Sequence, residues 1–246
     1  MEIQELKQFS DHLNQDMQLK IYGTGGKPIL VFPTLKGRYF DFENFGMVES
    51  VQTLIENETL TLITVDSIDE ESLANEIISP ARRILRHEEY DQYIIKEVVP
   101  FIQKEIAPNR KLFSVGCDMG GYHAANFFFR YPDVFNGIVS LSGWFQLQHY
   151  VGNFLNTSVY FHSPLRYLPN LTDDWYLNKF RQSQIVVCVG QGLWEEVPLA
   201  NAHALEQVLN EKEIPCWFDY WGMDVNHDWP WWRKQLPYFL NKLDLG

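Results

Sequence analysis

The stretch KLFSVGCDMGG, residues 111–121, indicates a strand, a tight turn and a helix in immediate succession. Its apolar start predicts a buried strand, and residues 119–131 predict a helix. Gly116 and Gly120 flank Asp118, as expected where a strained turn passes close to other backbone. The pattern G-x-D-x-G has the form of a nucleophile elbow, G-x-S-x-G, with Asp118 in the place of the serine. The alternative role for Asp118 is a helix N-cap.

Short apolar runs alternate with longer amphipathic stretches, which is typical of parallel strands joined by crossover helices. Strands that are apolar throughout are expected when helices cover both faces of a sheet. We therefore predict an α/β fold of three layers, α/β/α, with a mostly parallel central sheet. The other predicted strands are Gln18–Tyr22, Pro28–Phe32, Thr59–Val65, Gly137–Leu141, Gln184–Val189 and Cys216–Tyr220, and the other helices are Glu88–Ile106, Ala200–Leu209 and Pro230–Leu243.

The length and composition fit one globular domain. The chain has 246 residues, of which 46% are hydrophobic and 21% charged, so it can bury a sizeable core. We predict a single domain over residues 1–246. The stretch 144–178 has no clear period, and we interpret it as a cap or insertion that covers a site.

Charge and cysteine content exclude several classes of function. The net charge of -12 argues against nucleic acid and anionic membranes as partners. The three cysteines are too few and too scattered for a disulfide framework or a zinc site. The polar start, MEIQELKQFSDHL, does not resemble a signal peptide, and no apolar run has the length of a membrane span. We therefore predict a cytoplasmic protein.

Two further candidates follow Asp118 in the order nucleophile, acid, histidine that accompanies such an elbow. Glu195 follows the strand that ends at Val189, and we favour it over Glu196 because Trp194 could bury it. His227 lies in the loop after the last predicted strand, from which it can reach the elbow. The alternative for His227 is a surface or capping histidine.

An elbow of this kind needs two backbone N–H groups aimed at a developing negative charge. Met119, directly after Asp118, is one candidate donor. Leu35 is the other, with Thr34 next, because both follow an early strand. The alternative for this segment is an ordinary glycine-containing loop.

No motif indicates a cofactor or a metal. The glycine-rich turn Gly23–Gly26 lacks the lysine of a phosphate-binding loop and the spacing of a dinucleotide fingerprint. Asp224, His227 and Asp228 are close in sequence but do not form a recognised ligand set, and Asp228 fits a local cap more simply. We therefore expect neither a cofactor nor a metal ion.

The chain resembles the esterase D-like esterases of the α/β-hydrolase superfamily over most of its length. The resemblance implies the α/β-hydrolase fold and a serine–histidine–acid hydrolase of esters, without metal or cofactor. His227 matches the general base, Glu195 lies where the acid belongs, and Asp118 departs from the pattern. The matching stretches are residues 31–47, 65–72, 90–102, 115–143, 189–196 and 221–240, of which VGCDMGGYHAANFFF and NHDWPWW are the most specific.

Asp118 changes the chemistry that this resemblance implies. A carboxylate that attacks an ester would form an acid anhydride, which is a poor intermediate. A carboxylate does suit carbon electrophiles, since dehalogenases and epoxide hydrolases on this fold use an elbow Asp to form an alkyl ester. Two hypotheses follow: an active hydrolase of a small molecule, in which Asp118 attacks or helps His227 to direct a water, or an inactive homologue that binds a ligand or partner. A homodimer is the default assembly.

Overall fold

The computed structural model describes the whole chain, Met1–Gly246. The eight strands are β1 (Ile3–Ser10), β2 (Gln15–Tyr22), β3 (Lys27–Phe32), β4 (Leu60–Val65), β5 (Leu112–Cys117), β6 (Phe135–Leu141), β7 (Gln184–Val189) and β8 (Trp217–Tyr220). They form one sheet in the order β1-β2-β4-β3-β5-β6-β7-β8. β2 pairs antiparallel with β1 and β4, and all other pairs are parallel.

Helices connect the parallel strands. Proline at the start of a helix fits its unpaired N–H position, as at Pro80, where the Ser79 side chain caps the helix. π-Helical segments, Ile94–Val98 and Ile102–Ile106, lie on either side of Pro100. The helices are α1 (Asp41–Asn44), α2 (Met47–Ser50), α3 (Gln52–Glu56), α4 (Pro80–Tyr93), α5 (Val99–Phe101), α6 (Met119–Arg130), α7 (Gln148–Val151), α8 (Thr157–Phe161), α9 (Pro164–Tyr167), α10 (Asp174–Arg181), α11 (Glu196–Glu211) and α12 (Trp229–Leu240).

Both faces of the sheet are buried. Along β3, Leu30 and Phe32 point into one apolar core, whereas Ile29 and Val31 point into the other. Residues of α4, α6 and α11 fill the first core, and residues of α2, α3 and α12 fill the second. The predicted three-layer α/β/α fold with a mostly parallel sheet is therefore confirmed.

The structure also corrects several sequence boundaries. β1 was missed because its exposed, polar residues do not form an apolar run. The helix predicted from Glu88 begins at Pro80, and three short helices precede β4. The stretch 144–178 contains α7, α8, α9 and the start of α10, which are too short to give a clear period. No helix is both long and apolar enough to cross a membrane.

Candidate active site

Asp118 lies at a sharp turn between β5 and α6. Its backbone has φ 55° and ψ -123°, a strained conformation for a residue with a side chain. The flanking glycines permit this turn: a Cβ on Gly116 would lie 2.2 Å from the backbone of Gly120, and one on Gly120 would lie 2.3 Å from the carbonyl oxygen of Phe32. Asp118 occupies the N-cap position of α6 but makes no side-chain capping hydrogen bond.

The structure brings Asp118, His227 and Glu195 together at the carboxyl edge of the sheet. His227 Nε2 lies 3.3 Å from Asp118 Oδ1, and His227 Nδ1 lies 3.3 Å from Glu195 Oε2. Glu195 is 1% exposed, whereas the side chains of Asp118 and His227 are 19% and 15% exposed. The imidazole thus bridges a buried carboxylate and one that solvent can reach.

Two residues that sequence reasoning missed hold Glu195 in place. Ser142 Oγ donates a hydrogen bond of 2.6 Å to Glu195 Oε1, and Trp232 Nε1 donates one of 3.1 Å to Ser142 Oγ. The Trp232 ring also packs edge-on against His227, with centroids 5.0 Å apart. Ser142 directly follows β6, the neighbour of β5, so its position at the carboxyl end of that strand was the available signal.

Backbone N–H groups converge on the Asp118 carboxylate. Leu35 N donates a hydrogen bond of 3.0 Å to Asp118 Oδ2, and Met119 N–H also stabilises the charge. The next residue of the loop, Lys36, donates its N–H to Asp69 Oδ2 at 3.2 Å. Of the two donors predicted from sequence, Leu35 N–H is therefore occupied by an oxygen of Asp118, and Met119 N–H contributes to stabilising the charge.

The electrostatics favour an ion pair. Burial by itself raises the pKa of Asp118, but the hydrogen bond and charge of His227, with the Leu35 and Met119 N–H groups, lower it overall. Burial likewise lowers the pKa of His227, but hydrogen bonds and charges from Asp118 and Glu195 outweigh it and raise the pKa to about 9. At neutral pH the site holds a protonated His227 between two carboxylates.

Glu196 and Asp228, which adjoin Glu195 and His227 in sequence, have other roles. Glu196 is exposed and begins α11, so it is Glu195 that contacts His227. Asp228 caps α12, with its side chain accepting a hydrogen bond of 2.7 Å from Trp229 N. The structure contains no cluster of three or more His, Cys, Asp or Glu side chains arranged to hold a metal ion.

An aromatic side chain from α7 packs near the start of α6. Tyr150 packs against the small apolar cluster that contains Met119 and Tyr122. Its ring stacks on Trp144, with centroids 5.9 Å apart. Burial raises the pKa of Tyr150, and the negative charges of Asp118 and Asp69 raise it further. This hydroxyl therefore stays protonated.

The comparisons with known proteins identify the family. The profile of the family described as "Putative esterase" matches residues 10–243, and the chain belongs to this family of small-molecule esterases. No curated protein matches it.

Solved esterase structures share the fold. A ferulic acid esterase superposes with a TM-score of 0.75 at 18% identity, covering 97% of this chain and 96% of that one. An S-formylglutathione hydrolase from Staphylococcus aureus gives a TM-score of 0.69 at 16% identity, covering 98% and 95%. An S-formylglutathione hydrolase from Agrobacterium tumefaciens gives a TM-score of 0.73 at 12% identity, covering 99% of this chain and 95% of that one.

Proposed function

We propose that this protein is a hydrolase in which Asp118 is the covalent nucleophile toward a carbon electrophile, acting with His227 and Glu195. The observation that carries the proposal is that the two oxygens of Asp118 have different contacts. Oδ2 accepts the Leu35 N–H at 3.0 Å, whereas Oδ1 lies 3.3 Å from His227 Nε2. Oδ2 is held by a backbone donor, and Oδ1, which contacts His227, is the oxygen that attacks.

This arrangement disfavours the ester hydrolysis expected of a serine enzyme. A serine hydroxyl leaves the backbone donors free for the carbonyl oxygen of the ester. Here Asp118 Oδ2 already accepts the Leu35 N–H. In addition, attack of Asp118 on an ester carbonyl would give an acid anhydride. The similarity to esterases therefore supports a shared fold for this chain, but it does not support acyl transfer as its reaction.

Attack on a saturated carbon fits the same geometry. Oδ1 forms a bond to the carbon, the bond from that carbon to its leaving group breaks, and Asp118 becomes an alkyl ester. Oδ2 becomes the carbonyl oxygen of this ester and remains beside the Leu35 N–H group. Attack of water on Cγ, with loss of a proton to neutral His227, then places negative charge on Oδ2, where backbone N–H groups stabilise it. The Cγ–Oδ1 bond then breaks, and the departing alkoxide takes the proton of the newly formed carboxyl group.

The proton balance favours an epoxide among such electrophiles. His227 begins protonated, because its pKa is raised to about 9. Opening of an epoxide by Asp118 produces an alkoxide that needs one proton, which His227 can supply. His227 is then neutral and can take a proton from the water that hydrolyses the ester. Glu195 stabilises the imidazolium that this second step regenerates.

A second candidate function is that of an inactive homologue that binds a small molecule. The observation in its favour is the closed ion pair, in which His227 contacts both Asp118 and Glu195 at 3.3 Å. A protonated histidine cannot act as a base, and a paired carboxylate is a weakened nucleophile.

Activity assays on matched variants separate the two functions. The purified protein and its Asp118→Asn, Asp118→Ser and Asp224→Asn variants would be assayed with epoxides, haloalkanes and p-nitrophenyl esters. We expect turnover of an epoxide or haloalkane that Asp118→Asn abolishes and that the exposed control Asp224→Asn retains. Ester hydrolysis by Asp118→Ser alone, with no turnover by the original protein, would instead support the inactive homologue.

Three further proposals rest on the sequence. The chain forms one domain over residues 1–246, in which residues 144–178 cover the site. The protein is cytoplasmic, and it assembles as a homodimer. Gel filtration with light scattering tests the last of these directly.

A further inference from the structure

A cavity of about 410 Å³ lies between the segment 157–176, the C-terminal end of α6 and Glu88 of α4. It is remote from Asp118. Helix α6 begins next to Asp118 and ends at Arg130, which lines the cavity, so its 12 residues separate the two by about 18 Å. The cavity has the size of a small-molecule site.

Aromatic side chains form most of the cavity wall. They come from α6 and from the helices that follow β6, and they give the cavity flat apolar surfaces suited to a ring. Phe161, half exposed, stands at the solvent side. The aromatic and aliphatic wall residues are Phe129, Tyr131, Phe161, Tyr167, Leu171 and Tyr176.

His162 supplies a hydrogen-bond donor in this apolar setting. Its side chain is 1% exposed and lines the cavity. Asn126 Nδ2 and Arg130 Nη1 each lie 3.1 Å from His162 Nδ1. Because an arginine N–H can only donate, Nδ1 accepts and the proton of the neutral ring is on Nε2. Nε2 has no hydrogen-bond partner within the protein, so it can serve a ligand.

The charges around the cavity favour an uncharged ligand. Burial and the positive charge of Arg130 keep the pKa of His162 well below its usual range, so the ring is neutral. Arg130 is itself paired with Asp91, which Tyr131 also contacts. The remaining charge on the wall is Glu88, which would repel a carboxylate. The site therefore offers a donor without a net positive charge.

We propose that this cavity is a second ligand site, which binds an uncharged ring-containing molecule whose carbonyl or ether oxygen accepts a hydrogen bond from His162 Nε2. The aromatic walls take the ring, and His162 fixes its orientation. This site is independent of the chemistry at Asp118.

Binding of three probes of similar size tests the ligand class. Acetophenone carries the ring and the acceptor, ethylbenzene lacks the acceptor, and benzoate adds a negative charge. Isothermal titration calorimetry should give binding in the order acetophenone, ethylbenzene, benzoate, with acetophenone tightest. Equal or tighter binding of benzoate, or no binding of acetophenone, would overturn the proposal.

Matched variants place the probe in the cavity. Ser158→Trp fills the cavity from its half-buried wall and should abolish acetophenone binding, whereas Leu155→Trp, at an exposed position outside it, should leave binding unchanged. His162→Asn keeps an acceptor near the Nδ1 position but removes Nε2, so binding should weaken about tenfold. Circular dichroism melts establish that each variant folds. Unchanged binding by the folded Ser158→Trp variant would contradict the assignment.

Discussion

His227 and the buried histidines His87 and His162 show how neighbours decide the charge of the same side chain. Burial disfavours the protonated form in all three. His227 contacts two carboxylates, and its pKa rises to about 9. His87 lies 4.6 Å from the ring of His162, and its pKa falls well below the usual range. Carboxylate partners, together with shallower burial, therefore separate the charged histidine from the neutral pair.

The largest expected effects are those of substitutions at Asp118 and His227 on catalysis. Asp118→Asn should reduce kcat by at least ~10³-fold, because an amide is a poor nucleophile. With a haloalkane, whose halide leaves without a proton, His227→Gln should still permit attack by Asp118 but should stall hydrolysis of the ester. Intact-protein mass spectrometry then detects an alkylated protein in His227→Gln and none in Asp118→Asn. An alkylated Asp118→Asn variant would locate the nucleophile elsewhere.

The alkaline side of the stability profile reports on His227. Its pKa is near 6.5 in the unfolded chain and about 9 in the folded one. The folded state therefore binds the extra proton, and the stabilisation is complete below pH ~6.5 and lost as the pH rises through ~9. We expect a loss of about 3 kcal/mol in the free energy of unfolding, measured by urea titration. His227→Gln should remove this loss, and an unchanged profile would contradict the ion pair.

On the acid side of the stability profile, the buried histidines should have the opposite effect to His227, because they destabilise the folded state as the pH falls. His87 and His162 have folded pKa values below those of the unfolded chain, so unfolding takes up protons below pH ~6.5 and stability falls as the pH falls. His162→Asn removes one such group. It should reduce the slope by up to one proton, or about 1.4 kcal/mol per pH unit. The control His149→Asn, on the exposed surface of α7, should keep the original slope.

The smallest expected effect concerns the support of Glu195. Trp232→Phe removes the N–H that bonds Ser142 Oγ at 3.1 Å and reduces the packing against His227. We expect a loss of about 1–2 kcal/mol in the free energy of unfolding and a lower kcat with little change in KM. Trp231→Phe, on the same helix but outside this network, is the matched control. Equal effects of the two substitutions would deny Trp232 a positioning role.

The sequence was most informative where the pattern was local. The run from β5 into α6 predicted the turn at Asp118, and the loops after β7 and β8 supplied Glu195 and His227, which the structure places together. β1 was not predicted because an exposed edge strand needs no apolar face, so its sequence gives no apolar pattern. The start of α4 was missed although Ser79 and Pro80 form a recognisable cap, because its first turns are polar.

The parts of the site that escaped prediction depend on distant packing. Ser142 and Trp232 meet although they are 90 positions apart, and neither belongs to a motif. The occupation of the Leu35 N–H by Asp118 Oδ2 follows from side-chain direction, which the pattern G-x-D-x-G does not specify.

The path of a single oxygen atom tests the central claim about Asp118 most directly. One turnover of an epoxide or haloalkane substrate would be run in water labelled with heavy oxygen, with protein in excess, and the product and the peptide containing Asp118 would be analysed by mass spectrometry. If Asp118 is the nucleophile, the label enters the Asp118 carboxylate and the first product carries unlabelled oxygen from the protein. Label in the product and none in Asp118 would show direct attack by water and would contradict the account.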